Sequence, residues 1–178
     1  MLTAGHCLCP TPGNPAEVVS FYPGRHGSFA RWVSEGIKIR VHNNWFSYGD
    51  DSNDLGVLFL EHKLGNETGW ATLEVLSDQQ HENRYVRVTG YSYERQEDLS
   101  PYMYTMQGLI KVIKPSKIYY DIDTSGGQSG SGVCVEDGNN IPRCIAVHVT
   151  GCPVEGNGAV RINNEKISLI SQWLNDHN

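Results

Sequence analysis

Short runs of β-branched and aromatic residues recur along this chain, each closed by a cluster of Gly, Pro, Asn or Asp, and that punctuation restricts the fold more than any other feature. The runs are Val18–Tyr22, Trp32–Val41, Leu55–Glu61, Tyr85–Gly90, Met103–Val112, Ile118–Asp121, Gly132–Glu136, Arg143–Val149 and Ala159–Ile162. Strands this short, with turn residues between them, suit sandwiches and barrels. The 19 glycines and 8 prolines among 178 residues supply the turns. Only the far end reads as helix: Asn163 or Asn164 can cap it, and Ile167, Ile170, Trp173 and Leu174 fall at helical spacing. The expected fold is all-β, two barrels followed by a C-terminal α-helix, with the first unit at residues 1–66 and the second at 67–178. Gly65-Asn66 is a turn signal at that boundary.

Composition removes several function classes. The formal charge is −6, and nothing forms the basic patch that phosphates require, so no nucleic-acid partner is expected. No stretch approaches the ~20 apolar residues of a membrane-spanning helix, and no leader precedes the first motif. His26, His42, His62 and His81 are scattered, without a His-Glu-x-x-His pair or a carboxylate cluster, so neither a catalytic metal nor a cofactor is expected. Asp50-Asp51-Ser52-Asn53-Asp54 lacks the spacing of a calcium loop and reads as a solvated acidic turn leading into Asp54.

Three segments carry chemistry. In Ser125-Gly126-Gly127-Gln128-Ser129-Gly130-Ser131 the glycines let the backbone bend tightly and aim N–H groups at one spot, which is what an attacked carbonyl needs as it becomes an oxyanion. Ser129 is the candidate nucleophile. Leu2-Thr3-Ala4-Gly5-His6-Cys7 places His6 at the end of a short apolar run, and Asn53-Asp54-Leu55-Gly56 places Asp54 at the mouth of another, where its carboxylate can be partly buried and orient an imidazole. A serine hydroxyl is a poor nucleophile at neutral pH, so His6 would take its proton as general base while Asp54 fixes the tautomer. The chain order is His6, Asp54, Ser129.

That order and those three segments resemble the trypsin-like serine peptidases. Asp123-Thr124-Ser125-Gly126-Gly127-Gln128-Ser129-Gly130-Ser131, Gly65-Asn66-Glu67-Thr68-Gly69-Trp70, Val88-Thr89-Gly90-Tyr91 and Ala146-Val147-His148 look like the glutamyl endopeptidase branch of that family. The resemblance implies two six-stranded antiparallel barrels and a serine endopeptidase acting on polypeptides through an acyl-enzyme. It also implies an oxyanion hole from the N–H groups of Gly127 and Ser129, and a preference for Glu, with Asp second, before the scissile bond. An acidic side chain entering a pocket needs a donor, which His148 on a predicted strand supplies, and Thr124 offers a hydroxyl on the pocket wall where trypsin-type members carry an aspartate.

The sequence departs from the family in places. The histidine segment follows several tens of residues in the family and only five here. The first strands of the N-terminal barrel are then missing, so the barrel is incomplete, its edges are unpaired, and His6 sits on a terminus prone to fraying. On that expectation the chain is a fragment, an incomplete gene prediction or a degenerate copy, and the processed N-terminal amine of the branch has no equivalent. Gly132 and Ser92 stand where the branch carries prolines. Among five cysteines, Cys7 lies where the family pairs it with an upstream strand; Cys134 and Cys144 flank a hairpin and could bridge, with Cys152 an alternative partner for Cys144. Such bridges suit a secreted protein. A monomer is expected. The alternative to an active enzyme is an inert pseudopeptidase that keeps the groove as a peptide-binding module.

Overall fold

The computed structural model describes residues 1–93, 101–136, 141–152 and 155–177. In chain order the elements are β1 (Leu2–Thr3), α1 (Gly5–Leu8), β2 (Ser20–Phe21), β3 (Ser34–Val41), α2 (Asn43–Tyr48), β4 (Gly56–Leu60), α3 (Gly65–Thr68), β5 (Thr72–Leu73) and α4 (Asp78–His81). They continue with β6 (Tyr85–Tyr91), β7 (Met103–Ile113), β8 (Lys117–Tyr120), β9 (Gly132–Val135), β10 (Arg143–Cys152), β11 (Gly156–Arg161) and α5 (Asn164–Asn175).

Two sheets organise the molecule. The first runs β1-β4-β3-β2, all antiparallel, and curves as a half-barrel. The second runs β11-β8-β7-β6-β9-β10, and β10 pairs back onto β11, which closes six strands into a barrel. Alternation explains the closed barrel: along β6 the inward Val86, Val88 and Gly90 are buried and their neighbours are not. Val133, Val135, Ile110, Ile118 and Ile145 fill the same interior.

A second apolar cluster joins the sheets. Ala4, Leu55, Val57 and Phe59 of the first half pack on Val147, Val149, Val160, Ile162, Ile170 and Trp173 of the second. Burying a side chain of this size contributes about 1.5–3 kcal/mol each, so this seam fixes the histidine segment against the second barrel. It also explains why β4 is apolar along its length, being covered on both faces. α5 closes the seam, its first turn capped by Asn163 Oδ1, which accepts from the Lys166 N–H at 3.0 Å. Among the described residues no helix is long and apolar enough to cross a membrane.

Several expectations need correction. Helix is not confined to the end: α1 to α4 are short turns of helix placed between strands. β5 is an extra strand, and it joins the edge of β10 in parallel. Leu174 is 48% exposed while Ile170 and Trp173 are buried, so the α5 core stripe is narrower than its spacing predicts. The N-terminus is tied down instead of frayed: β1 pairs with β4, the Met1 amine donates to Leu58 O at 2.7 Å, and Ala4 is fully buried. Cys134 and Cys144 face each other across β9 and β10 as free thiols. The Cys152 side chain and residues 137–140 of the predicted hairpin lie outside the described residues.

Candidate active site

His6 sits in the single turn α1, which follows an extended Ala4 and so turns its ring back toward the mouth of β4. Asp54 ends a 3₁₀ turn, Asp51–Asn53, immediately before β4, and is 3% exposed. Its carboxylate grips His6 twice: Oδ1 accepts from the His6 backbone N–H at 2.7 Å and Oδ2 lies 2.6 Å from Nδ1. One oxygen therefore sets the position of the residue and the other sets the ring. The Asp54 carboxylate also raises the His6 pKa above that of an ordinary imidazole, with the Cys7 side chain adding to it and burial opposing. Stabilising the imidazolium is what a general base needs as it takes up a proton.

Gly5 makes the approach possible. A Cβ there would stand 2.9 Å from Asp54 Oδ1 and 2.9 Å from the Trp45 ring. Gly5→Ala is expected to push His6 and Asp54 apart and lower the rate of any chemistry that uses the pair by about 10²-fold, the cost of a misplacement of about 1 Å. Thermal unfolding measured alongside separates lost geometry from lost fold.

The loop before Asp54 is held from the other half of the molecule. Lys117 of β8 reaches Asp51 Oδ2 at 2.7 Å, and Lys166 of α5 donates to Asn53 Oδ1 at 2.5 Å. Asn53 in turn donates to Asp50 at 2.7 Å. Lys166 is fully buried, and desolvation lowers its pKa.

Ser129 lies in the predicted tight loop. Gly127 and Gly130 adopt φ of +94° and +84°, a region that L side chains disfavour. Space is also short: a Cβ on Gly127 would come within 2.9 Å of Tyr91 O, and one on Gly130 would collide with Thr3 Oγ1. Gln128, buried between them, pins the loop, its side-chain oxygen accepting from the Ser125 N–H at 2.8 Å. The Gly130 N–H donates to His148 O at 2.8 Å and the His148 N–H to Ser131 O at 2.9 Å, which docks the loop on β10. The N–H groups of Gly127 and Ser129 donate to no acceptor among the described residues.

The histidine segment and the serine loop meet at Cys7 Sγ, 3.6 Å from Ser129 O. Among the described residues no hydrogen bond joins the His6 ring to the Ser129 hydroxyl; such bonds are often long before substrate binds and tighten in the complex. His148 is 3% exposed on β10, beside the loop, with Nδ1 2.6 Å from the Tyr120 hydroxyl. Burial lowers its pKa to about 4. Thr124 is half-buried and its side chain makes no hydrogen bond among the described residues.

Sequence reasoning named His6, Asp54, Ser129, Gly127, Thr124 and His148; of these the structure joins His6 to Asp54 and docks the loop of Gly127 and Ser129 on the His148 backbone. It missed Gln128, Tyr120, Lys117 and Lys166. Gln128 was within reach, as the polar residue between two glycines of the loop; the others are brought in from distant strands and a helix.

No family model matches the chain. It is similar to a glutamyl endopeptidase of Staphylococcus aureus, 34% identical over 189 residues that cover 99% of this chain and 51% of that protein. It is also similar to a glutamyl endopeptidase of Bacillus licheniformis, 28% identical over 183 residues, covering 97% and 56%. A Bacillus subtilis protein named extracellular metalloprotease is 26% identical over 176 residues, covering 98% and 55%. Among the described residues of this chain, no group of three or more His, Cys, Asp or Glu is gathered to hold a metal ion. The chain spans about half the length of the curated relatives it matches. Among solved structures, a Glu endopeptidase in complex with MPD superposes with a TM-score of 0.86 at 23% identity, covering 97% of this chain and 79% of that one. A thermostable serine protease from an extremophilic microorganism gives 0.76 at 17% identity, covering 99% and 84%.

Proposed function

We infer that this chain, a relative of the glutamyl endopeptidases with the fold of the trypsin-like serine peptidases, is a serine endopeptidase that cleaves polypeptides after Glu. The observation that carries the reading is the double grip of Asp54 on the His6 N–H and Nδ1, set beside a loop with two undonated N–H groups. His6 takes the proton of Ser129 as the hydroxyl attacks the scissile carbonyl. Asp54 holds the ring with its proton on Nδ1, and the Gly127 and Ser129 N–H groups receive the oxyanion. His6 then returns the proton to the leaving amine, and water releases the acyl group by the same route. His148 donates to the carboxylate of the substrate side chain and Thr124 lines the wall of that pocket.

The reading extends to the setting. The Bacillus subtilis relative is named as extracellular, and Cys134 and Cys144 stand opposite each other in register across paired strands, a placement that an oxidising compartment turns into a bridge. The first unit, 1–66, supplies base and carboxylate; the second, 67–178, supplies nucleophile and pocket. One copy of the chain holds every group the reaction uses.

The test is an active-site-directed fluorophosphonate probe on the purified chain, with the labelled peptide identified by mass spectrometry and hydrolysis of matched Glu, Gln and Lys peptides run alongside. Labelling at Ser129 with cleavage after Glu is the expected result. A folded sample that takes no label sinks the enzyme reading and leaves a peptide-binding module.

A further inference from the structure

Tyr120 is the largest side chain wholly sealed inside the second barrel, and its polar end is aimed at one atom. Its ring packs in the core with Val86, Ile118 and Val133, and its hydroxyl lies 2.6 Å from Nδ1 of His148. No other partner for that hydroxyl is found among the described residues. A buried hydroxyl proton left without an acceptor is strongly disfavoured, so the hydroxyl donates and Nδ1 accepts. A neutral imidazole that accepts at Nδ1 carries its proton on Nε2. Burial raises the Tyr120 pKa, so the phenol keeps the proton it donates.

Resting on the endopeptidase reading above, we propose that Tyr120 is a positioning residue for substrate selection: by donating to Nδ1 it locks His148 in the Nε2–H tautomer, so that the ring presents a fixed N–H donor to an acidic substrate side chain. Protonating His148 would place a second hydrogen between Nδ1 and the phenol oxygen, and the phenol would have to rotate its own proton away into apolar core. The lock thus also keeps the ring neutral. Burial lowers the His148 pKa against the opposing Gly158 carbonyl, in keeping with a neutral ring. Recognition then rests on a neutral, aimed donor, and a floating imidazole with two tautomers would present an acceptor to the carboxylate part of the time.

The test has two readings on the full chain. Tyr120→Phe keeps the ring in the core and removes only the donor; the ratio of kcat/KM for a Glu peptide over its Ala counterpart is expected to fall about tenfold, mostly through KM, a single misdirected hydrogen bond's worth. Nitrogen-15 NMR of labelled histidine is expected to show His148 with protonated Nε2 and bare Nδ1 in the unaltered protein, and a tautomer mixture in Tyr120→Phe. An unchanged Glu over Ala ratio in a folded variant, or a wild-type spectrum with the proton on Nδ1, overturns the proposal. A chain that cleaves neither peptide fails the endopeptidase reading, and the wild-type tautomer then decides the role of Tyr120 alone.

Discussion

Ser129→Ala is expected to lower kcat by on the order of 10⁶-fold, leaving about 10³–10⁴ over the uncatalysed rate from the oxyanion donors and substrate binding. The size of the loss follows from what the variant keeps. The Ser129 hydroxyl makes no hydrogen bond among the described residues, while the loop is held by the Gln128 side chain and by the Gly130 and Ser131 backbone on β10. Alanine therefore removes the proposed nucleophile and leaves its surroundings standing. Single-turnover hydrolysis of a Glu peptide measures the loss, and an unchanged circular dichroism spectrum shows that the fold is not its cause. A loss below about tenfold would place the chemistry on another residue.

Asp54→Asn is the second large effect, about 10⁴-fold in kcat, and it carries a signature that simple damage would not. Asparagine keeps one oxygen to accept from the His6 N–H, so the backbone grip survives. Its amide nitrogen then faces Nδ1. Two donors cannot meet, so Nδ1 must become the acceptor and the ring proton moves to Nε2, the atom that has to take the proton of Ser129. The pH profile should move as well. The Asp54 carboxylate raises the His6 pKa, so the free base gains population as pH climbs through a value above the ordinary imidazole figure of about 6.5. Without the carboxylate the acid limb of kcat/KM shifts downward. A variant that is slow but keeps the wild-type limb would show that the limb belongs to another group.

The proposed catalytic groups were legible as candidates because each stands in a local pattern with a chemical reason: the glycine-flanked serine, the histidine closing an apolar run, the aspartate opening one. The closed barrel was legible for a similar reason, since period-two burial along β6 can be read from neighbouring residues. What failed was either too short or too distant. α2 is six residues long, too few for a helical period to repeat, and β5 is two residues whose identity as a strand depends wholly on the edge of β10. Tyr120 falls inside the predicted strand Ile118–Asp121 with nothing local to single it out, and nothing in its neighbours marks Lys166. Their roles come from partners 28 and 113 residues away along the chain, which no window of sequence contains.

On the endopeptidase reading, the two lysines that reach Asp51 and Asn53 have a consequence for when the site can assemble. A peptidase that matured piece by piece would have its base and carboxylate in place on the first sheet while most of the chain was still emerging and easy to cut. Here the turn that delivers Asp54 is moored to β8 and to α5, so a growing chain lacks the anchors of its own carboxylate until the closing helix has been made and docked. On the endopeptidase reading, assembly of the proposed base and carboxylate is thereby tied to the docking of β8 and α5 on the turn that carries Asp54.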